Sequence, residues 1–297
     1  MRQDSFSGYN PAINFAFYIG AVVFGMFFIH PAFLICSCIL SAAYYVTVRG
    51  AAAFKVIGAM VPVFVIISLM NPLFNRYGTH VLFTYFGGRP YTLEALYYGM
   101  AIGGMFVTVI MWFASYNVVM TSDKFLYLFG RIAPSVSLVF TMVLRLVPNF
   151  MNKAKQYVSA RMSIGRAGDN DTKKERLKDG TAILSALTSW ALEGGVITAD
   201  SMRSRGYGTG KRTNFSIYRF DGRDVCLCCL MVLLGAVIVF CGIMGGMEAA
   251  YTPEVKLAEL GNPYCTAGLA AYIIFIAIPT VLNVAEEITW RILRSKI

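Results

Sequence analysis

Charge is scarce in this 297-residue chain, where Asp, Glu, Lys and Arg together make up 14% of the residues, against about 25% in soluble domains. Histidine is scarcer still: His30 and His80 are the only two, and they lie far apart. So few histidines, with acids scattered singly, leave no cluster for metal-assisted or acid–base chemistry at a membrane surface, and they argue against a membrane-embedded transferase. The seven cysteines fall mostly inside apolar runs, which disfavours a disulfide framework. Cys226-Leu-Cys228-Cys229 has no histidine beside it to complete a four-ligand zinc site, so the thiols are expected to be buried and apolar. An A-x-A-like cleavage site is missing after the first apolar run, which follows only Arg2 and Asp4, so that run is expected to remain as a helix.

What is abundant is apolar surface, since 57% of the residues are AVILMFWYC before the 27 glycines are counted. That exceeds what a single soluble core of this length hides, and it makes the bilayer the solvent. A helix crossing about 30 Å of hydrocarbon needs about 20 residues. Six runs of that kind occur, at 12–29, 31–48, 56–73, 92–118, 224–246 and 267–290. His30-Pro31 makes a tight hairpin between the first two, and Asn71-Pro72 is expected to stop the third. Gly99 with Gly103, and Gly242 with Gly246, have the spacing that lets helix backbones approach, although glycine as filler fits as well.

The basic residues are segregated. With the N-terminus inside, 23 of the 26 Lys and Arg fall on inner segments and three on outer loops, and the excess remains at six to three when the long 119–223 segment is set aside. Cytoplasmic loops carry such an excess. The chain therefore reads as an all-α polytopic membrane protein of about six transmembrane helices. Four form an N-terminal bundle over 1–118, two form a C-terminal hairpin over 224–297, and a cytoplasmic region of long amphipathic helices lies between, over 119–223.

That middle region carries 17 basic and eight acidic residues. Flanked by spans and patterned with apolar faces, it suits anionic lipid and partner proteins better than nucleic acid. Residues 124–148 are interrupted by Lys124, Arg131, Pro134 and Arg145, and they predict a kinked interfacial helix with its basic side chains reaching for headgroups. A seventh span is the competing reading by length. After Pro148, Phe150, Ala154, Tyr157, Val158 and Met162 recur at helical spacing as far as Gly165. A polar turn at 168–175 leads to a second helix over about 174–205, where Ile183, Leu187, Trp190, Gly194 and Ile197 share a face. Ala191, Gly194 and Gly195 remove bulk from its middle. Two glycines cost about 1 kcal/mol each in a helix interior, so close crossing by another helix is the expected compensation.

Both helices end with an arginine near a glycine, Arg161 in Ala160-Arg161-Met162 before Gly165 and Arg205 in Ser204-Arg205-Gly206. Ordinary C-capping explains this, because the helix dipole favours a cation there. The functional alternative is a pair of planar guanidinium groups docking on another protein's carboxylates or carbonyls. The stretch Gly206 to Arg212 mimics a phosphate-binding loop but has arginine at 205 and 212, where that motif needs glycine and Ser or Thr, so the chain is not expected to bind ATP itself.

On these residues the chain resembles the transmembrane T component of energy-coupling factor (ECF) transporters, a group that includes cobalt permeases. The likeness rests on Leu144-Arg145-Leu146-Val147-Pro148, on Ala160-Arg161, and on Ala199-Asp200-Ser201-Met202-Arg203-Ser204-Arg205-Gly206-Tyr207-Gly208, and it spans about 123–215. Met162 and Ser201 depart from the family pattern. The resemblance implies a non-catalytic membrane scaffold of an ABC-type importer for a vitamin or transition metal, without a cofactor. Its coupling helices would sit on two ABC ATPase subunits, with Arg161 and Arg205 inserted and Ala160, Met162, Ser204 and Gly206 around them. Arg145, Pro148, Ala191, Gly194 and Gly195 would serve coupling-helix packing. A separate substrate-capturing membrane S component would pack alongside. It also implies a bacterial or archaeal plasma membrane, with both termini cytoplasmic. A secondary transporter is the rival, but the span interiors hold almost no charge, Glu94, Glu286 and Glu287 lying near span ends.

Overall fold

The computed structural model describes residues 4–75, 78, 80–85, 89–130, 133–165, 173–210, 218, 220–251, 255–259 and 261–294. The chain divides into two compact units, residues 1–125 with 218–297, and residues 126–217.

Six of the helices in the first unit follow the apolar runs: α1 (Pro11–Phe27), α2 (Pro31–Arg49), α3 (Ala53–Phe74), α4 (Leu93–Val119), α8 (Gly222–Ile243) and α9 (Pro263–Arg294). Their ends follow local chemistry. Asn10 caps α1 by accepting from the Ala12 N–H, and proline opens α1 and α2 at the position where a missing N–H costs nothing. The third helix does not stop at Asn71-Pro72 but runs through both Pro62 and Pro72 to Phe74, and α9 reaches four residues past its expected end. Two short antiparallel hairpins, β1 (Val81–Tyr85) with β2 (Arg89–Thr92) and β3 (Ala249–Ala250) with β4 (Lys256–Leu257), occupy the loops read as outer.

Apolar burial does not drive helices together in lipid, so packing and buried hydrogen bonds must do it. Helix α4 packs against α1, α2 and α3, and α9 packs against α2 and α8. The centre is aromatic. Trp112 is fully buried, donates from Nε1 to the Ser37 Oγ at 3.2 Å, meets Phe17 edge-on at 5.6 Å and stacks on Tyr44 at 6.2 Å. Of the two glycine pairs, Gly99 and Gly103 do let helices approach, because a Cβ at Gly99 would stand 2.6 Å from the Ser68 carbonyl oxygen and one at Gly103 2.9 Å from the Ser68 Oγ. Gly246 lies beyond the end of α8, so it and Gly242 are not one helix face.

His30, a buried residue, caps α2. Its Nδ1 accepts from the Ala32 N–H at 3.3 Å, and its Nε2 lies 3.3 Å from the Ala258 carbonyl oxygen, so a neutral ring protonated on Nε2 satisfies both contacts. Losing the cap costs about 1 kcal/mol and losing the second bond about another. His30→Ala should therefore lower the thermal unfolding temperature in detergent, and His30→Asn, which can still cap, should recover about half the loss.

Among the described residues six segments are long and apolar enough to cross a membrane, but they are not the six runs of the sequence. The α2–α3 stretch Pro31–Phe74 counts as one, α1 is shorter at 17 residues, and α6 (Pro134–Ser163) and α7 (Lys173–Ser204), the latter from Leu177, join the set.

The region 124–148 is not one kinked helix. A short α5 (Ser122–Gly130) ends before Pro134 opens α6, and α6 passes through Pro148 without ending; Arg131 lies outside the described residues. Lys124 does not reach for headgroups either, being 6% exposed and bonded inside the first unit. Burial lowers its pKa, partly offset by the nearby Asp4 carboxylate. All seven cysteines are free thiols, but Cys226, Cys228 and Cys229 lie exposed on α8 rather than buried, and only Cys241 and Cys265 are fully covered.

Candidate functional site

The second unit is built on α6 and α7. Phe150 meets Trp190 edge-on at 5.3 Å, the Lys153 ammonium sits 5.9 Å from the Trp190 ring centroid, and Arg161 Nη2 donates to Asp179 Oδ1 at 2.5 Å. Moving eleven residues on along α6, from Phe150 to Arg161, is matched by moving eleven back along α7, from Trp190 to Asp179. The helices therefore run antiparallel in a fixed register over about 16 Å. Phe150, Ala154, Tyr157 and Val158 are half-buried, as are Ile183, Leu187 and Trp190, in keeping with the two predicted faces being turned toward each other. Met162 and Ile197 do not join them and are exposed. The polar turn expected at 168–175 lies largely outside the described residues.

Most of the remaining surface of these helices is uncovered. Arg145 and Pro148 are exposed, and so are Val136, Val139, Leu146 and Met151 on α6 and Leu184, Leu192 and Val196 on α7. Exposed apolar surface on this scale marks lipid or a partner. Within the second unit no close crossing accompanies the α7 glycines, because a Cβ at Gly194 or Gly195 would meet nothing within 4 Å among the described residues. Gly194→Ala and Gly195→Ala should thus stabilise the isolated chain by up to about 1 kcal/mol each, measurable by thermal unfolding. Where a partner helix crosses there, the same substitutions lower assembly.

The helix tips differ more than their sequences suggest. At α7 the Gly206 backbone has φ +77°, its N–H donates to the Arg203 carbonyl, and the Tyr207 N–H donates to the Met202 carbonyl, both at 3.0 Å. This bond pair closes the helix with a left-handed glycine and makes Arg205 the capping residue itself. Arg205, Ser204 and Gly206 are all exposed, and no side-chain bond of Arg205 occurs among the described residues. At α6 the left-handed residue is Gly165, φ +72°, bonded to the Met162 carbonyl at 3.0 Å, which leaves Arg161 inside the last turn. Ala160 and Met162 are exposed beside it, but the Arg161 side chain is only 22% exposed and lies along α7.

Asp179 is the residue that reading motifs missed. Its signal was present, since a hairpin folded about position 170 sets Asp179 opposite Arg161. The pair occupies Nη2 and leaves Arg161 Nε buried without a hydrogen-bond partner among the described residues, so the guanidinium retains donor capacity. Among the described residues, Arg205 makes no side-chain bond at the α7 tip, whereas Arg161 is held by Asp179 at the α6 tip. A guanidinium at either tip suits recognition of carboxylates or helix-end carbonyls. Gly206 to Thr209 form a tight turn in which the Thr209 hydroxyl donates to the Gly206 carbonyl at 2.7 Å, and Lys211 and Arg212 lie outside the described residues.

Compared with known families, residues 7–216 match CbiQ, described as a cobalt transport protein. No curated protein matches the chain.

Proposed function

The chain belongs to the CbiQ cobalt transport protein family, the family of ECF T components and a family of membrane permeases, and from that membership we propose that it is the scaffold and coupling subunit of an ABC-type importer. In this reading two ABC ATPases grip the ends of α6 and α7, and their nucleotide-driven motion passes through these helices to a substrate-capturing S component. The cargo is a transition metal, cobalt first, or a vitamin, and its choice belongs to the S component. Residues 1–118 and 224–297 form the membrane portion, and 119–223 the cytoplasmic coupling region.

The observation that carries the reading is the α6–α7 pair: two long antiparallel helices with apolar outer faces, each ending on an arginine and a left-handed glycine. Arg161 and Arg205 engage the ATPases, with Ala160, Met162, Ser204 and Gly206 shaping the contact, and the open flank at Ala191, Gly194 and Gly195 receives a partner helix. Arg145 and Pro148 lie on the exposed α6 surface available to the same partners. No step of the proposal is catalytic in this chain, and it needs no cofactor. The 23-to-three distribution of basic residues supports both termini in the cytoplasm, and family membership is what points to a bacterial or archaeal plasma membrane.

Copurification tests the proposal. Tagged protein should bring two ATPase subunits and a small membrane protein with it, and transport should require ATP. Transport by the chain alone, driven by an ion gradient, would establish a secondary transporter instead. A cysteine at Ser163, in a background lacking the native cysteines, should react with an impermeant reagent only in inside-out vesicles; reaction in intact cells would overturn the topology and the coupling role together.

A further inference from the structure

Lys124 stands where a lysine is costly. It lies in the first turn of α5, where the helix dipole repels a cation, and it is buried, where an ammonium loses its hydration. Yet its Nζ is fully engaged, donating to the Ser7 carbonyl oxygen at 2.5 Å, the Ser7 Oγ at 2.6 Å and the Val119 carbonyl oxygen at 3.1 Å. Val119 is the last residue of α4, so the same ammonium that closes that helix also grips a segment 117 residues earlier.

The gripped segment is itself wedged among the inner helix ends. Phe6 is fully buried, with its ring against Phe17, Tyr18 and Tyr44, and its N–H donates to Asn283 Oδ1 of α9 at 3.3 Å. Asp4 accepts from the Tyr44 hydroxyl of α2 at 2.9 Å, and the Asn10 N–H donates to Asp224 Oδ1 of α8 at 3.4 Å. Residues 4–10 thus bond to α2, α8 and α9, and Lys124 ties them to the α4–α5 corner. Lys124 is also the next-to-last residue of the first unit's N-terminal stretch, and α5 continues from it into the second unit.

We propose that Lys124 is a positioning residue that latches the N-terminal segment to the α4–α5 corner, holding rigid the stretch of chain by which the coupling helices are joined to the first unit. A tripod of three acceptors sets direction as well as distance, which an apolar side chain of the same length does not. The inference rests on the coupling role proposed above. Its consequence is specific: without the latch, ATPase motion is absorbed at the corner and less of it reaches the membrane helices.

The test uses the assembled transporter and the variants Lys124→Met, Lys124→Gln and Lys124→Arg. Two spin-label pairs, at positions 8 and 51 and at positions 51 and 123, are placed in a cysteine-free background; all three positions are exposed. Lys124→Met should assemble and melt close to wild type while broadening both distance distributions, and its transport per ATP hydrolysed should fall about tenfold, a size typical of coupling between distant sites. Lys124→Gln, which keeps two donors, should fall in between and carries the test should the Met variant fail to insert. Lys124→Arg should recover part of the coupling ratio. Unchanged distances, an unchanged coupling ratio, or a parallel loss of assembly and stability in both neutral variants would overturn the latch, the last by making Lys124 a merely structural cation. The Arg161→Ala, Arg205→Ala double variant serves as the control, since normal coupling there would refute the coupling role itself while leaving the spin-label result to judge the latch.

Discussion

The double substitution Arg161→Ala, Arg205→Ala is expected to abolish transport and to release the ATPases from the membrane subunit. Truncating one side of a buried, charge-assisted contact costs about 2–5 kcal/mol, because the other charge is left unpaired, and two such losses exceed what one interface of ordinary size tolerates. The single variants should differ, because the two side chains start from different states. Arg205 is exposed and without a bond of its own among the described residues, so Arg205→Ala removes only what a partner would gain. Arg161→Ala also removes the ion pair with Asp179, which is 9% exposed. Asp179→Asn separates the two roles of Arg161: it weakens the α6–α7 strut but leaves the guanidinium for a partner, so it should lower stability more than coupling. Arg→Lys at either tip should also be harmful, since lysine keeps the charge and loses the planar fork. If the arginines serve only the helix dipole, Lys substitutes freely and Ala costs about 0.3–1 kcal/mol. ATPase copurification and transport, at matched membrane expression, read all of these; a double Ala variant that assembles and transports normally would sink the coupling role.

The second large effect lies away from the tips. Gly99→Val should prevent the membrane unit from forming, since its Cβ would press within 2.6 Å of the Ser68 backbone oxygen, which cannot retreat unless α3 shifts away from α4. Overpacking costs about 1–3 kcal/mol where side chains can yield, and more where backbone must move. Gly58→Val, in α3 with nothing within 4 Å of the added atom, should be tolerated, and Gly104→Val nearly so, because it meets only the Leu34 side chain at 3.9 Å. Membrane yield and protease resistance of the three variants should fall for Gly99→Val alone.

These contrasts show which parts of the molecule periodicity can reveal. Apolar runs give helices directly, because length and composition decide whether a segment is stable in lipid, and α1 to α4, α8 and α9 lie close to where those runs fall. The facing surfaces of α6 and α7 are legible for the same reason, being local patterns at helical spacing. Lys124 was misread because its partners, Ser7 and Val119, lie at a chain corner and 117 residues away, and no spacing rule encodes a three-acceptor cradle. Arg161 was read as a projecting tip because its motif resembles that at Arg205. The difference is the length of helix left after each arginine: α6 runs two residues past Arg161, whereas α7 stops one residue before Arg205. The openness around Gly194 and Gly195 could not be inferred from sequence either, since a glycine marks permission for close approach and not the neighbour that uses it.

The edge-on contact of Trp190 with Phe150, beneath the Lys153 ammonium, makes the second unit optically addressable. The chain has three tryptophans, and the other two, Trp112 deep in the aromatic centre and Trp290 exposed near the end of α9, can be exchanged for phenylalanine to leave a single emitter between the two helices. An indole quenched by, or shifted against, a neighbouring ammonium changes its emission when the helices slide by a fraction of a turn. If α6 and α7 carry the proposed coupling, fluorescence from Trp190 would then follow each nucleotide cycle in real time, from between the two helices.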